Sequence, residues 1–137
     1  KGCGAYLNGQ SLQGSSVRSM EASFVVTELP YNSEQYARTG EYLIRELYGR
    51  VAGIRMNGSA AIALCYVAAG RFDAWLEAFL GKWDFSAAAL IVQEAGGRVT
   101  DFYGNAGFID GHHVVATNGW LHPFLLELVQ KAMPLGM

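Results

Sequence analysis

The sequence is short of the features that identify several specialised classes of protein. It has only two cysteines, Cys3 and Cys65, in 137 residues, so neither a disulfide framework nor a zinc site is expected. Charged residues make up 16% of the chain and the net charge is −2, which argues against nucleic acid or an anionic membrane as the main partner. The apolar runs are too short to span a bilayer, and no secretory signal is visible. These absences favour a globular protein of the reducing cytoplasm.

Strand-like and helix-like segments alternate along most of the chain, which is typical of an α/β fold with a mixed sheet. The Asn8–Gly9 pair predicts a hairpin turn within residues 4–13. The other predicted strands cover residues 23–29, 50–56, 71–78, 97–104 and 112–119. The predicted helices cover residues 33–49, 57–70, 84–95 and 120–133, with Ser33 and Ser59 as N-caps of the first two.

Two of the predicted helices, over residues 59–69 and 85–95, are apolar on nearly every face. A helix that is covered on one side only shows a polar stripe, so these two need cover on both sides. The predicted strands supply one covering layer, and the small hairpin cannot supply the whole of the other. We therefore expect the chain to be the C-terminal part of a larger protein, or to be completed by a partner chain.

Candidate site residues fall where predicted strands end and helices begin, which is where open α/β sheets bind ligands. Asp84 either caps the helix that follows it or holds a hard cation such as Mg²⁺, and the two roles are compatible. Gly58, Ser59 and Ala60 are either an ordinary helix start or a place where a polar ligand meets a helix N-terminus. Glu77 is either a solvated strand end or a carboxylate that binds sugar hydroxyls.

Other polar residues have a plainer interpretation. His112, His113 and His122 lack metal-ligand spacing and are expected in solvated loops. Glu94 and Arg98 are four residues apart and are expected to form a surface pair or a helix cap.

Taken together, the motifs resemble those of the inositol monophosphatase family. "WDFSAAALIVQEAGG" over residues 83–97 is similar to the family's C-terminal signature, with complete spacing. "GIRMNGSAAIALCYVAAGRFDAWLE" over residues 53–77 looks like the segment that precedes this signature, and "KGCGAYLNGQ" over residues 1–10 resembles the family's hairpin. The resemblance covers essentially the whole chain.

The resemblance implies a layered αβαβα fold and a Mg²⁺-dependent phosphatase with two or three metal ions that activate water and bind phosphate. By this resemblance Asp84 is a metal ligand and catalytic residue next to the substrate. Gly58, Ser59 and Ala60 line the substrate pocket, and Glu77 contacts inositol hydroxyls. The family's remaining metal-ligand motifs, a glutamate motif and D-P-(I/L)-D-G-T, do not occur in the sequence. Most Mg²⁺ ligands are therefore expected from an upstream part, and this chain alone is expected to be inactive.

The resulting hypothesis is a Mg²⁺-dependent phosphomonoesterase that acts on inositol monophosphate or a related sugar phosphate. This chain would supply one metal ligand and the wall of the substrate pocket. Residues 1–22 are expected to belong to the first sheet and residues 23–137 to form the C-terminal α/β domain. The expected partner is a small-molecule phosphate monoester, with neither nucleic acid nor membrane, and the complete protein is expected to be a homodimer.

Two alternatives stay open at this point. In the first, the chain is a non-catalytic fragment or subunit that packs against a partner. In the second, the family assignment holds and the substrate is fructose 1,6-bisphosphate, a 3′-phosphoadenosine nucleotide or histidinol phosphate.

Overall fold

A computed structural model describes residues 1–29, 34–110 and 112–136. Its strands are β1 (Tyr6–Leu7), β2 (Gln10–Ser11), β3 (Phe24–Thr27), β4 (Gly53–Arg55), β5 (Ala74–Ala78), β6 (Arg98–Thr100) and β7 (His113–Thr117). Its α-helices are α1 (Glu34–Leu47), α2 (Ala60–Ala68), α3 (Lys82–Glu94) and α4 (His122–Gly136). Short 3₁₀ helices cover Met20–Ala22 and Phe108–Asp110. The predicted cap Ser33 lies outside the described residues.

Strands β3 to β7 form one mixed sheet in the order β4-β3-β5-β7-β6. Strand β3 pairs in parallel with both β4 and β5, whereas β7 runs antiparallel to β5 and β6. The carboxyl ends of β3 and β5 therefore meet at the same edge of the sheet. The predicted α/β fold with a mixed sheet and flanking helices is confirmed.

Helices cover both faces of this sheet, and neighbouring residues of a strand point to opposite faces. Val26 and Trp75 belong to the apolar cluster of the face that carries α2 and α3. Val25 and Leu76 belong to the cluster of the opposite face, which carries α1 and α4. The whole of β5 is buried, because both of its faces carry a layer of helices.

The helices α2 and α3 bury one side each and leave apolar side chains exposed on the other. Ala63, Leu64, Ala88 and Ala89 are buried against the sheet or the neighbouring helix. Ile62 is 51% exposed on α2. This agrees with the expectation that these two helices need a second covering layer.

The hairpin forms as predicted, with β1 antiparallel to β2 and Asn8–Gly9 as its two-residue turn. The expected pairing of Glu94 with Arg98 is wrong. The Glu94 carboxylate instead accepts hydrogen bonds from the backbone N–H groups of Gly2 and Gly4. Glu94 therefore ties the segment before the hairpin to the end of α3. That residues 1–22 belong to a separate first sheet stays a prediction.

The expectation of solvated histidines is wrong for two of the three. His113 is buried in β7, where its Nδ1 accepts the Phe102 N–H at 3.0 Å. His122 is fully buried, and its two ring nitrogens form hydrogen bonds with the hydroxyls of Thr100 in β6 and Thr117 in β7. Only His112 is exposed.

The hydrogen bonds of His122 define a neutral ring. The Thr100 hydroxyl donates to the carbonyl of Asp101 at 2.8 Å, so it accepts from Nε2–H of His122 at 2.9 Å. The other nitrogen, Nδ1, then accepts from the Thr117 hydroxyl at 3.1 Å. Burial, followed by the positive charge of Arg98, lowers the pKa of His122 from 6.5 to about 4.

This burial predicts an acid-sensitive fold. Since the folded-state pKa lies below the unfolded value, the contribution of neutral His122 is fully present above pH 6.5 and is lost as the pH falls toward 4. We expect the free energy of unfolding of the full-length protein to drop by about 2 kcal/mol over this window through His122 alone. Denaturant unfolding at a series of pH values measures the drop.

The difference between wild type and a non-titrating variant isolates this contribution from the carboxylates. His122→Gln should show a shallower fall in stability between pH 6.5 and pH 4, whereas His112→Gln at the exposed histidine should keep the wild-type slope. Equal slopes in wild type and His122→Gln would contradict the prediction.

Candidate functional site

A cleft of about 350 Å³ opens at the edge of the sheet where β3 and β5 end and where α2 and α3 begin. All five residues predicted as site residues line it, namely Gly58, Ser59, Ala60, Glu77 and Asp84. Elements that lie far apart in the sequence therefore bring the predicted residues into one place. The shared position of these residues does not test the metal-binding and substrate-binding roles predicted for them, and those roles stay predictions.

Asp84 lies in the first turn of α3 and not at its N-cap, because the helix begins two residues earlier than predicted. Gly81 is the N-cap, and its N–H donates to Asp84 Oδ2 at 3.1 Å. The Asp84 N–H in turn donates to the Gly81 carbonyl at 2.9 Å. The carboxylate is exposed to the cleft, and this one hydrogen bond leaves most of its acceptor positions for a ligand.

The loop before α2 is held by a carboxylate that the sequence analysis did not single out. Oε1 of Glu28, just after β3, accepts the N–H groups of Asn57 and Gly58, each at 2.8 Å. Ser59 is the N-cap as predicted, since its hydroxyl accepts the Ile62 N–H at 3.3 Å. An acid directly after a β-branched strand at the ligand-binding edge was the signal that could have identified Glu28.

Glu77 is buried on the face of β5 that carries α2 and α3, contrary to a solvated strand end. It is 7% exposed, and no partner for its Oε2 is found within the described residues. Burial, together with the negative charges of Glu28 and Asp84, raises the pKa of Glu77 from 4.5 to about 8. A buried acceptor without a partner is costly, so this atom is suited to a ligand that supplies a donor or a positive charge.

Apolar side chains form the remaining wall of the cleft. Leu29, Phe79 and Trp83 are exposed there, and the buried Leu80 also lines the cleft. The sequence analysis named none of these as site residues. The cleft therefore combines the carboxyl groups of Glu28, Glu77 and Asp84 with the N-termini of α2 and α3 and with this apolar wall.

The donor chemistry of the cleft suits a hard cation, although the described residues supply only part of a coordination shell. Mg²⁺ takes oxygen ligands and is commonly held by one or two carboxylates together with water and phosphate. Asp84 offers an exposed carboxylate, and Glu77 offers an unpartnered oxygen nearby. In the described part of the chain, no group of three or more His, Cys, Asp or Glu side chains could by itself hold a metal ion.

The three-layer arrangement and the cleft at the carboxyl ends of β3 and β5 define an α/β protein with a ligand site at the usual edge of an open sheet. The sequence model of the inositol monophosphatase family matches residues 1–133. The chain belongs to this family, as the resemblance of its motifs predicted.

Two of the curated relatives carry different names. Nus factor SuhB of Pseudomonas aeruginosa is 43% identical over 136 residues, which is 98% of this chain and 50% of the relative. Inositol-1-monophosphatase of Rhizobium meliloti is 36% identical over 136 residues, again 98% of this chain and 50% of the relative. The chain thus spans about half the length of the curated relatives that it matches.

Solved structures show the same fold. The extragenic suppressor protein suhB from Bartonella henselae has a TM-score of 0.89 and 35% identity, over 95% of this chain and 50% of that chain. An IMPase from Thermotoga maritima has a TM-score of 0.87 and 32% identity, over 98% of this chain and 50% of that chain. No helix among the described residues is long and apolar enough to cross a membrane.

Proposed function

We propose that the complete protein is a Mg²⁺-dependent phosphomonoesterase that hydrolyses inositol monophosphate or a related sugar phosphate. The observation that carries this proposal is the cleft in which Asp84 and Glu77 meet the start of α2. A phosphate group suits the N-termini of α2 and α3, whose free N–H groups and dipoles favour anions. Sugar hydroxyls suit the buried carboxyl group of Glu77.

Each residue has a role in this proposal. Asp84 is one ligand of the metal and is fixed by its reciprocal hydrogen bonds with Gly81. Gly58, Ser59 and Ala60 form the wall that receives the phosphate ester, and Glu77 orients the alcohol through a hydroxyl group. When bound, Mg²⁺ supplies Lewis acidity toward the phosphate and lowers the pKa of water.

The unpartnered oxygen of Glu77 supports a polar ligand at this place. With its pKa raised to about 8, the Glu77 carboxyl group is protonated at neutral pH when no cation is bound beside it. It can then donate a hydrogen bond to a sugar oxygen and accept one from a sugar hydroxyl. A positive charge bound beside it would lower its pKa again and restore the carboxylate.

A phosphate-release screen of the full-length protein tests the proposal. Inositol 1-phosphate, fructose 1,6-bisphosphate, 3′-phosphoadenosine 5′-phosphate and histidinol phosphate form the panel, each assayed with Mg²⁺ and with excess EDTA. We expect Mg²⁺-dependent release that is fastest with a polyol phosphate. No release from any member of the panel at any Mg²⁺ concentration would contradict the proposal.

A second candidate is a non-catalytic role, and the names of the relatives favour it. Several relatives, among them those of Pseudomonas aeruginosa and Escherichia coli, are named Nus factor SuhB. In this case the chain would act as a Nus factor through contacts with a partner. Asp84 would then only stabilise the first turn of α3, by accepting the Gly81 N–H. A full-length protein that releases no phosphate, yet performs the Nus-factor function in a complementation assay, would support it.

We also propose that residues 1–22 belong to the first sheet of the complete protein and that its copies form a homodimer. The exposed apolar side of α2, with Ile62 at 51% exposure, supports a further layer over this helix. Limited proteolysis of the full-length protein tests whether residues 1–22 are protected as part of a sheet. Light scattering measures the mass of the particle and tests the homodimer.

A further inference from the structure

The sequence contains three Asn–Gly pairs, namely Asn8–Gly9, Asn57–Gly58 and Asn118–Gly119. Asparagine is a thermolabile residue, because the backbone nitrogen of the next residue can attack its side-chain amide. Glycine in that next position leaves the nitrogen unhindered, since it has no side chain. In all three pairs the glycine has a positive φ, at +81°, +75° and +95° in chain order. The pairs therefore share their local chemistry and differ in the surroundings that the fold gives them.

The pair Asn118–Gly119 is held at both of its reacting groups. Asn118 is buried, and its side-chain nitrogen donates to the Ser15 hydroxyl at 3.0 Å and to the Val17 carbonyl at 2.7 Å. The Gly119 N–H donates to the Thr117 hydroxyl at 2.9 Å. Attack would require these hydrogen bonds to break together, so this pair should stay intact as long as the fold does.

The pair Asn57–Gly58 is exposed, but its attacking nitrogen is held by a carboxylate. Glu28 Oε1 accepts the Gly58 N–H at 2.8 Å, and the Asn57 side-chain oxygen accepts the Ser59 N–H at 3.3 Å. The nitrogen must leave the carboxylate before it can turn toward the Asn57 side chain. Hydrogen bonds to a charged acceptor are the stronger ones, so this contact protects the pair without burial.

The pair Asn8–Gly9 has neither kind of protection. Both residues are exposed, and among the described residues no hydrogen bond involves the Asn8 side chain or the Gly9 N–H. The pair forms the turn between β1 and β2, which have two residues each, all of them exposed. A two-stranded hairpin of this length contributes little stability of its own, so its tip can open while the rest of the fold stays formed.

We propose that Asn8 is a site of spontaneous deamidation through a succinimide formed with the Gly9 nitrogen. In this reaction the Gly9 nitrogen bonds to Cγ of Asn8, the Cγ–Nδ2 bond breaks, and ammonia leaves with the proton that the Gly9 nitrogen has lost. Water then opens the ring at either of its carbonyls and gives aspartate or isoaspartate. Water is the only reagent, and the inference does not depend on the proposed phosphatase activity.

The two products affect the hairpin differently, although both add a negative charge. Asp–Gly suits the same tight turn as Asn–Gly, so the aspartate product should keep the hairpin. In isoaspartate the main chain runs through the side-chain carbon, which adds one atom between Leu7 and Gln10, the pair that closes the turn. The hairpin should lose its register in this product.

Peptide mapping of the full-length protein tests the proposal. The protein is incubated at mildly alkaline pH in water labelled with heavy oxygen and is then digested with trypsin in ordinary water, so that only deamidation during the incubation takes up the label. The three pairs fall in different tryptic peptides, residues 2–18, 56–71 and 99–131. We expect Asn8 to convert about tenfold faster than Asn57 or more, because at Asn57 a hydrogen bond to a charged acceptor must break first. Asn118 should not convert in the folded protein.

Two controls separate the fold from the dipeptide. In denaturant the three pairs should convert at similar rates, since the protecting contacts are absent there. Glu28→Ala frees the Gly58 N–H and should accelerate conversion of Asn57 by about tenfold, while Asn8 keeps its wild-type rate. An isoaspartyl methyltransferase with labelled S-adenosylmethionine should label residues 2–18 of the aged protein, and this label should be absent in Asn8→Gln.

The outcomes that would overturn the proposal are clear-cut. One is a folded protein in which Asn57 or Asn118 converts as fast as Asn8, which would mean that these hydrogen bonds do not protect. The other is an Asn8 that stays intact in the folded protein and converts in denaturant, which would mean that the turn itself prevents the attack.

Discussion

Asp84→Asn is expected to lower kcat/KM of the full-length protein for a phosphate monoester by about 10³-fold or more. Asparagine has nearly the same shape but lacks the charge that a hard cation requires of its ligand. A bound metal stabilises the developing charge of phosphoryl transfer by several kcal/mol, and each ~1.4 kcal/mol is a factor of ten in rate. Steady-state phosphate release over a range of Mg²⁺ concentrations measures the loss.

The same substitution should leave the fold nearly intact, which makes the loss interpretable. An asparagine side-chain oxygen can still accept the Gly81 N–H, which Asp84 accepts at 3.1 Å. The effect on the first turn of α3 is then limited to the charge–dipole contribution, about 0.3–1 kcal/mol. We expect the unfolding midpoint to stay within a few degrees of wild type.

A matched acid-to-amide change controls for loss of charge as such. Glu127 is exposed on α4, pairs with Lys131 at 2.9 Å and lies on the opposite face of the sheet. Glu127→Gln should retain wild-type kcat/KM and Mg²⁺ dependence. Full activity in Asp84→Asn would remove the metal-ligand role and leave Asp84 as a helix-start residue.

The predictions that succeeded depend on local patterns. The Asn8–Gly9 turn and the Ser59 cap follow from turn chemistry and capping. Their physical causes act within a few residues of the chain. For the same reason the edge of the sheet where a ligand would bind could be located from the order of strands and helices alone.

The predictions that failed involve partners that are distant in the sequence. Glu94 contacts Gly2 and Gly4 rather than Arg98, because the hairpin folds back on the end of α3. His122 is buried because Thr100, 22 residues away, satisfies one of its ring nitrogens. The spacing of residues along the chain does not predict such contacts, because they depend on how the strands and helices are arranged in the fold.

The site itself was foreseen in part for a related reason. Asp84 and Glu77 could be named from their places after a strand and before a helix. Glu28 could be noticed as an acid that follows a strand, but its contact with Asn57 and Gly58 depends on the parallel pairing of β3 with β4, which the sequence does not specify.

The contacts of Glu28 lead to the second large effect. Its Oε1 accepts the N–H groups of Asn57 and Gly58, and Gly58 is the first residue of the wall that is proposed to receive the substrate. Removal of both bonds in Glu28→Ala should release this loop and lower kcat/KM by about 10- to 100-fold, mostly through KM. Hydrogen bonds to a charged acceptor are worth about 1.5–3 kcal/mol each when protected, and less at this exposed position.

Glu28→Gln separates the hydrogen bonds from the charge. The amide oxygen can still accept from both N–H groups, so the loop should stay in place and the loss should be clearly smaller than in Glu28→Ala. Hydrogen exchange at Asn57 and Gly58 should accelerate in the alanine variant and much less in the glutamine variant. Glu21→Ala, at an exposed acid of the 3₁₀ helix Met20–Ala22, should change neither quantity. If exchange accelerates in Glu28→Ala while KM stays at its wild-type value, the loop does not position the substrate, and the wall must be formed by other residues of the cleft.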